Sequence, residues 1–172
     1  MASYTYDGSG HLIEVEEIGY IPSERIRKRI TVEWLPGYLE MYERHDRDDD
    51  GTVEMTIHKV WDAHGNLLLD EEDYDGDELW DHWYRAEWEG DLLLAVEHDD
   101  DLDGVVDYRE EFTYNSRGLL IRQEIDTDSP PDGVPETVIA ISRDKAGNIK
   151  KEEYRDVAAG TVDTTTYDYS CW

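Results

Sequence analysis

The chain has 172 residues, enough for one domain whose core needs no disulfide or metal staple. Its 44 Asp and Glu outnumber 16 Lys and Arg, giving a formal charge of -28, which excludes a basic nucleic-acid-binding face and disfavours an anionic membrane surface. Six Trp and twelve Tyr, set mostly inside alternating runs, mark a folded chain rather than an acidic disordered one.

The opening MASYTYDGSG lacks the basic flank and apolar run of a signal peptide, so an exported protein of this sequence would carry its signal elsewhere. No apolar run is long enough to span a bilayer. The single Cys171 permits no internal disulfide.

In chain order, the first recurring element is an aromatic residue, an acid, a turn with glycine, and an aliphatic residue: YDGSGHL, Tyr6 to Leu12. EIGYIPSER follows, with two acids and a proline. IRKRITVEW then places Ile26, Ile30, Val32 and Trp34 on one side and basic residues on the other. A short turn, WLPGYL, leads to the acidic stretch DRDDDGTVE at 46–54. In TVEMTIHKVW, Val53, Met55, Ile57, Lys59 and Trp61 share a side. The turn WDAHGNL precedes the acidic DYDGDELWD, and WEGDLL precedes DDDLDGVVD. In VVDYREEFTY, Val106, Tyr108, Phe112 and Tyr114 share a side with Glu110. YNSRGLL precedes the stretched acidic run DTDSPPDGVPE, and RDKAGNI keeps the turn with its aromatic lost. DVAAGTVD and a last YD at Tyr167 close the series.

Two interleaved signals share one period. The first aspartates of the acidic runs fall at 46, 73, 99 and 126, in steps of 27, 26 and 27. The aromatics Trp34, Trp61, Trp88 and Tyr114 step by 27, 27 and 26. The joining segments alternate with period two and are rich in β-branched and aromatic residues, which predicts strands. The connections are too short for crossovers, so consecutive strands are antiparallel. The expected fold is all-β: an antiparallel meander of about a dozen strands from ~27-residue hairpin repeats, curled or closed into a barrel-like or shell-like sheet that buries its apolar face. The expected organisation is one domain over residues 1–172, with repeat units near 6–33, 34–60, 61–87, 88–113, 114–142 and 143–172. The outer units are degenerate, as caps of repeat proteins are.

The YDxxGN-type turns resemble the RHS/YD-repeat family of bacterial surface and toxin-associated proteins, and that resemblance implies strand–turn–strand units rather than an activity. The acidic runs resemble the D-x-D-x-D-G-x-x-[DE] calcium loop, in the hairpin setting of integrin α-subunit propellers. Calcium takes six to eight oxygens, and carboxylates at alternate positions of a tight loop converge on one centre. Positions one, three, five and nine supply side chains, position seven a backbone carbonyl, and glycine at six permits an unusual backbone angle. Loop 1 then offers Asp46, Asp48, Asp50, the carbonyl of Thr52, and Glu54. Loop 2 offers Asp73, Asp75, Asp77, the carbonyl of Leu79, and Asp81, with Glu78 in place of glycine and strain expected there. Loop 3 offers Asp99, Asp101, Asp103, the carbonyl of Val105, and Asp107. Loop 4, with two extra residues, offers Asp126, Asp128, Asp132, the carbonyl of Val134, and Glu136. Up to four Ca2+ ions are expected. Position twelve of loop 1 is Ile57 and no helix flanks it, which rules out an EF-hand.

Histidines 11, 45, 58, 64, 82 and 98 make no zinc pattern. Trp80, Trp83, Tyr84 and Trp88 read as packing residues rather than a sugar site. No nucleophile, phosphate-loop or dinucleotide motif occurs, so no enzyme is expected. Two functions fit. One is a calcium-binding structural or adhesive repeat module of an exported or cell-surface bacterial-type protein. Its partners would be calcium and another protein or a larger parent chain, without nucleic acid or membrane insertion. The other is a cytoplasmic acidic interaction protein, an immunity protein or nucleic-acid mimic, that neutralises a basic partner. Either way, the dominance of period two predicts a far-ultraviolet circular dichroism spectrum without helical minima; strong minima would reject the β assignment.

Overall fold

The computed structural model describes residues 2–21, 24–37, 39–101 and 103–169. Cys171, Leu102 of loop 3, Tyr38 of WLPGYL, and Pro22 and Ser23 of EIGYIPSER lie outside these.

Thirteen strands form: β1 (Ala2–Tyr6), β2 (Leu12–Ile21), β3 (Glu24–Trp34), β4 (Glu40–Asp46), β5 (Met55–Trp61), β6 (Leu67–Asp73), β7 (His82–Glu89), β8 (Leu92–Asp99), β9 (Tyr108–Tyr114), β10 (Leu120–Asp126), β11 (Thr137–Arg143), β12 (Ile149–Asp156) and β13 (Thr161–Thr166). Among the described residues there is no helix. The sheet order follows the chain from β1 to β13, an antiparallel meander as the alternation predicts. The chain divides into two compact units, Met1–Tyr84 and Arg85–Trp172.

The connections alternate as expected. Glycine-containing turns join β1 to β2, β3 to β4, β5 to β6, β7 to β8, β9 to β10 and β11 to β12, and the acidic loops follow β4, β6, β8 and β10. The YDxxGN turn has a local cause. Asp62 Oδ1 accepts the amides of His64 and Asn66 at 2.8 and 2.9 Å, and the Asn66 side chain donates to Oδ2 at 2.9 Å. The Gly65 amide donates to the Asp62 carbonyl with φ at 89°, a left-handed angle that a side chain resists. Asp7, Asn115 and Asp144 accept amides in the same way.

In the first unit, register places Val15, Ile30, His45 and Met55 in one row. The next rows on that face are Val32, Glu43, Ile57, Glu72 and then Trp34, Met41, Lys59, Asp70. This is the face the alternation predicts, but it is not purely apolar. Several of its charged members are paired across or along strands: Glu43 bonds His45 Nε2 at 2.5 Å, and Lys59 pairs with Asp70. The His45 bond holds Glu43 below the usual carboxylate range, whereas burial pushes Asp70 up. On the opposite face, Glu33, Tyr42, His58 and Glu71 form a row. There the His58 ring bonds Glu71 at 2.8 Å and Glu40 at 3.0 Å, and stacks on Tyr42 at 4.3 Å.

In the second unit, Val96, Glu110, Ile125, Thr137 and Asp156 share one row, and Ala95, Glu111, Glu124, Val138 and Arg155 another. Among the described residues the buried apolar ones are few: Val15, Val32 and Met41 in the first unit, and Ala86, Ala95, Val96 and Val138 in the second. Ladder bonds and polar pairs therefore carry much of the cohesion of each unit.

The turns are also fastened from one repeat to the next. Trp34 Nε1 donates to the Leu12 carbonyl at 3.0 Å, Tyr114 Oη to the Leu93 carbonyl at 2.9 Å, and Arg143 Nε to the Leu120 carbonyl at 3.1 Å. What recurs at that position is thus a long side chain with a donor at its tip. Arginine in RDKAGNI keeps the function that the aromatic spelling suggested was lost. Tyr114→Phe removes only the donor and is expected to cost about 0.5–1.5 kcal/mol in a urea melt. An unchanged midpoint would show that this bond contributes nothing.

Candidate metal centres at the hairpin loops

Each acidic loop begins on the last residue of a strand. Asp46, Asp73, Asp99 and Asp126 end β4, β6, β8 and β10. They are 9%, 3%, 0% and 5% exposed. A carboxylate buried to that degree needs donors. In loops 1, 2 and 4 the loop backbone turns inward to supply them. Asp46 Oδ1 and Oδ2 accept the amides of Asp50 and Gly51 at 3.1 and 2.9 Å. Asp73 Oδ1 accepts from Gly76 at 2.7 Å and Oδ2 from Glu78 at 3.1 Å. Asp126 Oδ2 accepts from Gly133 at 2.8 Å.

The donor at position six needs a left-handed residue. Gly51, Glu78, Gly104 and Gly133 have φ of 93°, 69°, 87° and 81°. Glu78 therefore sits at the angle expected of glycine, with the strain that implies for a residue carrying a Cβ. Loop 4 reaches the same geometry, because its two extra residues lie before Asp132 and leave Gly133 in place.

Position nine closes each loop. Glu54, Asp81, Asp107 and Glu136 accept the position-two amides of Arg47, Tyr74, Asp100 and Thr127 at 2.6, 2.7, 3.0 and 2.7 Å. Position five behaves differently. Asp50, Asp77, Asp103 and Asp132 accept the position-seven amides of Thr52, Leu79, Val105 and Val134 at 2.7 to 2.8 Å.

In loop 1, Asp46, Asp48, Asp50 and Glu54 each place one oxygen within 4.8 Å of the others. The corresponding groups are Asp73, Asp75 and Asp81 in loop 2, Asp99, Asp101 and Asp107 in loop 3, and Asp126, Asp128 and Glu136 in loop 4. Asp77, Asp103 and Asp132 stand outside these groups. The outer end-loop behaves as its spelling suggests: Asp156 ends β12 and accepts the Ala159 amide at 2.7 Å.

Position four escaped the sequence reading. Asp49 has φ of 59°, and Gly76 at the same place in loop 2 has 76°. Asp49 is clamped by Arg27 and Arg29 of β3, each at 3.2 Å. The signal available in sequence was the run Arg27, Lys28, Arg29, the densest basic cluster in an acidic chain.

No family model matches the chain, and no curated protein matches it. Among solved structures, a porin-like protein from Bacteroides uniformis ATCC 8492 is similar, with a TM-score of 0.37 and 12% identity over 96% of this chain and 86% of that one. A likeness of that degree carries no functional argument.

Like-charge crowding shows in loop 4. The charge of Glu136, with burial and the charges of Asp132 and Asp126, raises the Asp128 carboxyl above its ordinary value. The Thr127 amide lowers Glu136. The signs are opposite. Glu136, lowered by folding, contributes stability at neutral pH that is lost as pH falls through its folded value. Asp128, raised by folding, contributes stability in acid that is lost as pH rises through its folded value. In chelator, carboxyl-carbon NMR titration is expected to place Asp128 above 3.8 and Glu136 below 4.5. The reverse order of shifts would contradict this account of the loop.

Proposed function

We propose that the chain is a calcium-binding β-repeat module, structural or adhesive, of an exported or cell-surface protein, with the ion held at its hairpin loops. The observation that carries this reading is loop 1, where four carboxylates from alternate positions gather within 4.8 Å. Three further loops repeat the arrangement with three carboxylates each. Hard oxygen donors in this number suit calcium, with the carbonyls of Thr52, Leu79, Val105 and Val134 and solvent completing the shell. The buried aspartate at position one anchors the ion to the end of a strand, and the position-nine carboxylate closes the loop from the next. Loop 1, with the most carboxylates, is expected to bind most tightly. The chain's charge of -28 favours the second reading, an acidic protein that neutralises a basic partner.

Calcium titration separates the two. Asp48→Ala and Asp101→Ala are each expected to remove one equivalent of bound calcium; unchanged stoichiometry in both would reject the ligand assignment. A site at free calcium one hundred times its dissociation constant stabilises the fold by about 2.7 kcal/mol. Several sites together are expected to raise the melting temperature by more than about 10 °C over the chelated protein. Sodium chloride at equal ionic strength should recover little of that. Identical melting in chelator and in millimolar calcium would leave the acidic-partner reading in its place.

A further inference from the structure

In loops 1, 2 and 4, position four is where the loop meets the repeat before it. In loop 1 no acidic loop precedes, and Asp49 turns to Arg27 and Arg29. In loop 2 position four is Gly76, whose added Cβ would stand 2.3 Å from the Val53 carbonyl of loop 1. That contact leaves no room for a side chain. In loop 4 position four is Ser129, and its hydroxyl donates to Asp107 Oδ1 of loop 3 at 2.8 Å.

The Ser129 contact joins two loops through one carboxylate. Asp107 Oδ2 accepts the Asp100 amide at 3.0 Å, which closes loop 3 upon itself. Its other oxygen is held by loop 4. The Asp100 amide and the Ser129 hydroxyl together keep Asp107 below the usual carboxylate range. Ser129 is itself placed by its own loop, since the neighbouring Asp128 amide donates to buried Asp126 at 3.2 Å and the Thr127 amide to Glu136 at 2.7 Å. Opening either loop therefore breaks a bond that orders the other.

We propose that Ser129 latches loop 4 to loop 3, so that the two open and close as one unit and a cation held by either is felt by the other. The latch stands on the hydrogen bond alone; its extension to cation coupling rests on the calcium reading above.

Two measurements on the full chain test these parts separately. The first is amide hydrogen exchange in chelator. Ser129→Ala is expected to speed exchange of the Asp100 and Gly133 amides by about tenfold, the scale of losing one hydrogen bond to a charged group. Ser129→Thr, which keeps the hydroxyl, should restore slow exchange. Amides of the β9–β10 ladder are the reference. Unchanged Asp100 exchange, or an equal rise throughout the ladder, overturns the latch. The second is calorimetric calcium titration of Asp128→Ala, which disables loop 4. The affinity of loop 3 is expected to fall at least about fivefold. An unaltered loop 3 affinity overturns the coupling. If the unsubstituted chain binds no calcium at all, the calcium reading and the coupling both fail, and the exchange experiment still decides the latch.

Discussion

A carboxylate buried at the end of a strand is the constraint on which the acidic loops depend. An ionised aspartate withdrawn from water is costly unless donors surround it. At Asp46, Asp73 and Asp126 the donors are backbone amides of the loop that follows. The loop must curl back to bring them, and the curl requires a left-handed residue at position six. Glycine there, and the strained Glu78 in loop 2, follow from that single requirement. The same curl turns the later carboxylates toward the first, so the fold concentrates negative charge as a consequence of satisfying one buried group.

The opposite ends of the strands are built on related chemistry with a different outcome. In the YDxxGN turns, one Asp or Asn also accepts two amides, but no second carboxylate converges on it. Those turns reverse the chain and pass a donor to the preceding repeat, through Trp34, Tyr114 or Arg143. One set of connections thus fastens the sheet internally. The other gathers carboxylate oxygens at the opposite strand ends.

This division suits a sheet with a thin core. Seven apolar residues are buried among those described, and they are small or medium in size apart from Met41. Some charged residues on the more apolar face are paired, as Lys59 with Asp70 and Glu43 with His45. With so little apolar area withdrawn from water, stability leans on ladders, turns and loops. Proposed ion binding at the loops would then act where the fold has most to gain, by replacing repulsion at the strand ends with attraction.

The sequence by itself determined the strands, their antiparallel succession and the alternation of two kinds of connection. Those follow from local rules: period-two side chains, turns too short for a crossover, and glycine where φ is positive. It also marked the acids at alternate positions, because loop geometry repeats with the spelling. Only the tertiary structure decided which acids meet. Asp77, Asp103 and Asp132 have the spacing of ligands, yet they stand outside the carboxylate groups, whereas Asp50, which accepts the amide two residues on just as they do, stands inside its own. The pairings of Asp49 and Ser129 are not set by local sequence either, since Arg27 and Asp107 lie 22 residues from them and are brought near only by strand register; the basic run at Arg27 to Arg29 marks a cluster but not its partner. The meaning of Arg143 was hidden for the same reason: a donor tip is recognised only when the Leu120 carbonyl it reaches is in place. Local bonds are written in neighbouring residues, whereas contacts between repeats depend on how each strand is set against the one before it.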